Sequence, residues 1–309
     1  MIPYIQSHMV EDRLDWMALV NALAAGHMGA RAQMKDQLIT RDDDALLSRA
    51  AWVDGQGMAV KSVSVMPANT ARDMPTVQGA LLLFDDETGA IEAVIDSALV
   101  TKWKTAGDSI LGAKLLARPQ AERLLVVGAG TVAASLIDAY RALFPEVKVS
   151  VWNRNPARAE DLANSHNATA VIDLAGAVGR ADIVTVATLS KVPLIKGDWL
   201  RDGQHLDLIG AYRADMREAD DTALLRSKIF VDCIDTTIDH IGELKTPLAE
   251  GVITRADIHG DFYDLVGNRI GRRAPSDITL FKNGGGAHLD LMTARLILKT
   301  YKEVSNTAA

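Results

Sequence analysis

Along the first hundred residues, apolar and polar positions alternate between two periods. Trp16, Leu19, Val20 and Leu23 recur at i, i+3, i+4 and i+7, which predicts an amphipathic helix. Residues 58–66 (MAVKSVSVM) then switch to period two, with Val63 and Val65 on one face and Ser62 and Ser64 on the other. The runs GALLLFDD and AIEAVID flank Glu87-Thr88-Gly89 and predict a hairpin. Residues 101–117 return to helical spacing, with Ala106, Ile110, Ala113 and Ala117 along one stripe.

From Arg123 the texture changes. Short, wholly apolar, β-branched runs (LLVVG, VKVSVW, TAVI, DIVTVA, HLDLIG and KIFVDC) alternate with helical stretches. Strands with no polar face are buried on both sides, so these runs predict a parallel, doubly wound sheet with helices on each face. A last apolar helix, around Leu289, Met292, Leu296 and Ile297, follows a Gly-rich turn and is expected to pack back on the first domain. The fold class expected is α/β. A Rossmann-type domain over residues 118–284 is inserted in an α+β substrate and dimerisation domain formed by 1–117 with 285–309.

Composition narrows the function. The 309 residues carry 33 basic and 40 acidic side chains, a net charge of −7, and only 5% are aromatic. That balance argues against a nucleic-acid partner, which needs a basic footprint and stacking surfaces. Cys233 is the only cysteine, so no disulfide can form within the chain; this fits a reducing compartment. Residues 1–20 include Glu11, Asp12 and Asp15 and do not read as a secretory leader, and no run approaches the ~18 apolar residues of a membrane span. A cytoplasmic protein acting on a small molecule is expected. The seven histidines show no metal-ligand spacing, HExxH and GxSxG are absent, and no metal site is expected.

The first apolar run after Arg123 leads into Gly128-Ala129-Gly130-Thr131-Val132-Ala133, which fits G-x-G-x-x-A. Gly128 permits the tight turn, Gly130 lets the backbone approach a pyrophosphate, and Ala133 allows close helix packing. The pyrophosphate would sit on the helix N-terminus, against Gly128, Gly130, Thr131 and Val132. The end of the second strand usually carries an acidic residue that binds the ribose 2′-hydroxyl. Here it carries Trp152-Asn153-Arg154-Asn155-Pro156. With no carboxylate to repel a 2′-phosphate and Arg154 available to bind one, NADPH is favoured, with NADH the alternative. Asn155 and Pro156 read as N-cap and first residue of the next helix.

Lys61 shares the face of Val63 and Val65, so its ammonium points inward. It either meets an anion there, as in a substrate site, or snorkels at a sheet edge.

The stretches AVKSVSVMPAN, TVQGALLLFDDETGAIEAVID, VTKWKTAGDSILGAKLLA, VVGAGTVAASL and FKNGGGAHLDLMTA resemble the ornithine cyclodeaminase/μ-crystallin family. They run in family order from about residue 40 to 295. The resemblance implies a homodimer and hydride exchange between nicotinamide and the α-carbon of an amino or imino acid. It implies that Lys61 grips the substrate carboxylate, helped by Arg41, with Arg49 as competitor. Thr105, Thr188, Ser190 and Gly285 are implied beside the cofactor. The family's Arg-Thr-Ala-Ala reads Lys104-Thr105-Ala106-Gly107 here, so a point charge replaces a planar fork. Lys104 is a substrate candidate, and an ion pair with Asp108 at i+4 is its simpler reading.

Cyclodeaminases of the family carry an aspartate where this chain has Tyr212, with Asp215 three residues later. The resemblance therefore implies NADPH-dependent reduction of a cyclic ketimine, Δ1-pyrroline-2-carboxylate or Δ1-piperideine-2-carboxylate, to L-proline or L-pipecolate. Alternatives are a cyclodeaminase, an alanine-type dehydrogenase, or a non-catalytic μ-crystallin-like NADP-binding protein. Lys61, Tyr212, His288 and water are the proton-donor candidates, although His288 reads more simply as a cap or surface histidine.

Overall fold

The computed structural model describes residues 1–307. By contacts the chain divides into two compact units: Met1–Lys104 together with the chain from Gly286, and Thr105–Gly285. The division falls inside one helix, upstream of the change in texture at Arg123.

The first unit contains β1 (Tyr4–Ile5), α1 (Trp16–His27), β2 (Gln33–Arg41), β3 (Asp44–Val53), β4 (Gly57–Val65), β5 (Val77–Phe84), β6 (Ile91–Asp96) and the start of α2 (Ser97–Leu116). Its strands form one sheet in the order β1-β6-β5-β4-β3-β2. All neighbours are antiparallel except β1 and β6. The period-two reading of β4 holds as far as Val63: Ala59, Lys61 and Val63 are buried, Met58, Val60, Ser62 and Ser64 are half-buried, and Val65, at the strand end, is half-buried as well. The Glu87-Thr88-Gly89 hairpin also forms between β5 and β6, with Gly89 at φ 69°. The strands β2 and β3 were not foreseen. All of β2 but Met34 is exposed, so it offers no apolar face to read.

The second unit follows with β7 (Arg123–Val127), α3 (Thr131–Leu143), β8 (Lys148–Trp152), α4 (Pro156–Ser165), β9 (Thr169–Ala170), α5 (Leu174–Arg180), β10 (Ile183–Val186), β11 (His205–Leu208), α6 (Asp221–Arg226), β12 (Ser227–Val231), α7 (Ile234–Thr237), α8 (Gly242–Ala249), α9 (Phe262–Val266) and β13 (Ile278–Lys282). These strands form a parallel seven-stranded sheet, ordered β12-β13-β11-β10-β7-β8-β9. All six predicted runs are strands of it. The seventh, β13, was missed because it ends in a lysine; Lys282 is nevertheless fully buried, its ammonium donating to the carbonyls of Leu208 (2.8 Å) and Asn283 (2.6 Å). The link from β10 to β11 holds only a 3-10 turn at Gly197–Trp199, so the alternation of strand and helix is incomplete.

The chain then returns to the first unit as α10 (Ala287–Thr307), which packs on α1, β3, β4 and β5. Among the described residues no helix is long and apolar enough to cross a membrane.

Candidate functional site

In the first unit the chemistry gathers on the sheet face that α10 covers. Lys61 is 5% exposed and donates to Asp290 Oδ1 at 2.6 Å, with Thr101 Oγ1 at 3.5 Å. Asp290, in the first turn of α10, was not foreseen. It is separated from Lys61 by 229 positions, and helical spacing alone cannot say which strand a first-turn residue faces. Burial pushes the Asp290 carboxyl up, but the charges of Lys61, Lys104 and Arg49 outweigh it and hold the group below its ordinary value. Its second oxygen is buried without a hydrogen-bond partner.

Register decides between the two arginines. Arg49 on β3 pairs directly with Lys61 on β4, and its side chain is mostly buried, reaching Asp36 at 2.7 Å. The side chain of Arg41 is 76% exposed at the far end of β2, where it binds Asp44 at 2.8 Å. Arg49, not Arg41, stands beside Lys61. The reason is positional: Arg41 closes a hairpin, where water solvates its charge.

The expectation of a surface His288 is also corrected. His288 is fully buried. It stacks edge-on against His27 with ring centroids 5.1 Å apart, and its Nδ1 lies 3.1 Å from Met34 Sδ. Burial, aided by the charges of His27, Lys104, Arg49 and Arg31, holds its pKa well below the usual value, so the ring is neutral at pH 7. Lys104 is buried on α2, and its charge acts on both His288 and Asp290.

In the second unit the glycine turn has the geometry a dinucleotide requires. Gly128 has φ 122°, and a Cβ there would meet Ala187 O at 2.4 Å. A Cβ on Gly130 would instead enter open space, so the first amides of α3 are approachable from outside. Thr131 is exposed and Val132 half-buried in the first turn of α3, while Ala133 is fully buried where the helix meets the sheet. This open cradle over a helix start fits a pyrophosphate.

After β8, Asn155 caps α4, accepting from Ala157 N at 3.2 Å, with Pro156 at the first helical position. Asn153 donates to Asn155 O at 3.0 Å. Arg154 is exposed and makes no hydrogen bond or ion pair among the described residues. After β10, the Thr188 amide and hydroxyl both donate to Glu218 Oε1 at 2.8 Å, and Ser190 Oγ donates to Val192 O at 2.6 Å. Thr105 is half-buried on α2. Gly285, at φ 71°, donates its amide to Asp232 Oδ2 at 2.6 Å.

Tyr212 lies in the loop after β11 and is 60% exposed. Asp215 of the same loop is taken up by Lys191 and Arg213, each at 2.8 Å. Those bonds hold its carboxyl below the ordinary range. Glu218 was not singled out from the sequence, where a carboxylate in a loop carries no sign of burial.

The sequence pattern of the ornithine cyclodeaminase/mu-crystallin family matches residues 9–305. The chain belongs to this family. A relative from Paracoccus denitrificans (strain Pd 1222), named Δ1-pyrroline-2-carboxylate reductase, is 51% identical over 294 residues, covering 93% of each chain. Among solved structures, the Thermococcus litoralis Δ1-pyrroline-2-carboxylate reductase in complex with NADH and L-proline matches with a TM-score of 0.88. It is 27% identical, with 98% of both chains covered. An archaeal alanine dehydrogenase dimer with bound NAD has a TM-score of 0.89 and 25% identity, covering 98% of this chain and 96% of that one. The Rossmann-type α/β class expected from the sequence is thus the fold of the family's solved members.

Proposed function

We propose that the protein is an NADPH-dependent oxidoreductase that reduces a cyclic ketimine, Δ1-pyrroline-2-carboxylate or its six-membered homologue, to L-proline or L-pipecolate. The observation that carries this reading is the Lys61–Asp290 pair, buried and surrounded by the further cations Lys104 and Arg49. The cations gathered around it suit a small carboxylate. The likeness to Δ1-pyrroline-2-carboxylate reductases supports the same substrate class.

When bound, NADPH would supply the hydride for the imine carbon. The turn Gly128–Val132 would hold the pyrophosphate through backbone amides, and Arg154, which makes no hydrogen bond or ion pair among the described residues, would receive the 2′-phosphate. Thr105, Asn153, Thr188, Ser190 and Gly285 complete the cofactor's surroundings. Lys61 and Lys104 bind the substrate carboxylate. Lys61 also delivers the proton to the imine nitrogen, because Asp290 fixes its ammonium in place at 2.6 Å. The other side-chain candidates fit less well: His288 is neutral and buried, and Tyr212 lies on an exposed loop.

Cyclodeamination is disfavoured, since Tyr212 replaces the family's aspartate and Asp215 is engaged by two cations. The protein works as a homodimer in a reducing compartment. Opposite α10, the first-unit sheet exposes Ile39, Leu46 and Trp52, an apolar face suited to a second copy.

The test is NADPH oxidation by the purified protein on pyrroline-2-carboxylate, piperideine-2-carboxylate, and pyruvate with ammonia, with ornithine plus NAD(P)+ assayed in parallel. Turnover of the cyclic imines above the others is expected. Consumption of ornithine alone, with ammonia released, would overturn the reading. Cofactor binding without any turnover would point instead to the binding-protein alternative.

A further inference from the structure

Three neighbouring strands of the second sheet, β7, β10 and β11, end side by side, and the loops that follow β10 and β11 are bound together by one carboxylate. Glu218 is fully buried. Its Oε1 accepts from the amide and hydroxyl of Thr188, both at 2.8 Å. Its Oε2 accepts from the amides of Gly210 at 2.8 Å and Ala211 at 3.0 Å. A carboxylate offers about four acceptor sites, and two loops of this chain use them all. The loops also touch directly: a Cβ on Gly210 would lie 2.2 Å from both Thr188 N and O. Ala187, which begins the first of these loops, puts its carbonyl against Gly128 of the glycine turn.

The location gives this clamp its meaning. After β7 the chain adds β8 and β9 on one side, then crosses to place β10 on the other. The order therefore reverses between β7 and β10, and ligands of open α/β sheets bind outside the strand C-termini at such a reversal. The loop that Glu218 holds is one wall of that crevice. We propose that Glu218 is a positioning residue for the dinucleotide: it fixes residues 187–192 against the Gly128–Gly130 turn and so sets the width of the cofactor crevice. This rests on the dinucleotide reading of that turn and not on which imine is reduced.

The surroundings make the clamp sensitive to pH. Burial pushes Glu218 up, Lys282 of β13 pulls it down, and Glu243 of α8 pushes it up again, while the amides of Thr188 and Ala211 favour the anion; the outcome is about 7. Its neighbour Arg217 turns to Asp221 at 2.7 Å. Glu243 accepts from the amides of Glu218 at 2.6 Å and Ala219 at 3.0 Å, and neither bond involves residues 187–192. A proton on Glu218 would set an O–H against one of the four donors and loosen a loop.

NADH binding to the full-length protein, followed by nicotinamide fluorescence, tests the proposal; NADH has no 2′-phosphate to titrate in this range. Glu218→Gln turns an amide toward the donors of Gly210 and Ala211, and should raise the NADH Kd about tenfold, as loss of hydrogen bonds to a charged acceptor implies. It should leave the imine KM within about twofold, because the proposed substrate cations lie in the other unit. Glu243→Gln disturbs the same buried cluster without contacting residues 187–192, and should bind NADH within about twofold of native. Native affinity should weaken from pH 8 to pH 6, and Glu218→Gln should lose that slope. If Glu218→Gln does not fold, Glu218→Asp keeps the charge but draws it back by one methylene from its four donors, and should raise the Kd about threefold. Native-like binding by these variants, equal weakening by Glu243→Gln, or a pH slope that survives Glu218→Gln would each overturn the proposal. Failure of the imine reading alone would leave NADH binding intact.

Discussion

Both units bury charge, and they do so with opposite balance. In the first, Lys61, Lys104 and Arg49 act on one buried carboxylate, Asp290, one oxygen of which has no hydrogen-bond partner. In the second, Glu218 and Glu243 act with one buried cation, Lys282, and Glu218 is saturated by donors from its own chain. A cluster completed from within is architecture. A cluster whose carboxylate keeps one buried oxygen without a hydrogen bond has acceptor capacity left to use.

The largest effect should come from breaking the first cluster. Lys61→Met should lower kcat/KM for the imine by a hundredfold or more, as loss of a charge-assisted contact of ~3 kcal/mol implies, with the cofactor Kd unchanged. Asp290→Asn should cost more stability than Lys61→Met, about 3 kcal/mol in urea unfolding, because it leaves the cations without their buried carboxylate. The double variant should lose less than the sum of the two. Additive losses would mean that the two side chains act separately.

Next is Arg154→Asp, which should shift the ratio of NADPH to NADH affinity about tenfold toward NADH. Its melting temperature should not move, since Arg154 is exposed and pairs with nothing among the described residues. An unchanged ratio would remove the arginine from cofactor choice.

The smallest effect separates the units by pH. His288 is held neutral, so below about pH 6.5 the unfolded chain binds a proton that the folded first unit refuses. That unit should lose up to ~1.4 kcal/mol for each unit of pH below this point. In the second unit His205, lowered to about 3, has the same sign. Glu218, raised to about 7, has the opposite sign: its folded form holds a proton that the unfolded chain releases above its ordinary value of 4.5. The two oppose each other between pH 6.5 and pH 4.5, as do the raised Glu243 and Asp207 and the lowered His259. Hydrogen exchange corrected for intrinsic rates should therefore show protection falling in the first unit and nearly level in the second. Equal losses in both would break the contrast.

The same contrast governs what the sequence could reveal. The strands β7, β10, β11 and β12 are legible because both faces are largely buried, leaving runs with few polar residues. By comparison, β2 reads QMKDQLITR and faces water along nearly its whole length, so it carries no such signal. The glycine turn and the Asn155 cap are local chemistry and sit where the sequence placed them. Asp290 and Glu218 could not be read, since a carboxylate's partner in one case lies 229 positions away and in the other the partners sit on two separate loops. Arg49 was distinguishable from Arg41 only through the strand register that sets it opposite Lys61.

The return of α10 to the first unit also bears on synthesis. Lys61 leaves the ribosome long before Asp290, and the whole second unit is made in between. A nascent chain therefore carries an ammonium destined for burial whose counter-charge does not yet exist. The first unit can close only after its last helix emerges, whereas the second has all its strands in one uninterrupted stretch. Premature termination between β13 and α10 would leave a nucleotide fold able to form and a carboxylate site that cannot. Completion of the site thus reports completion of the chain.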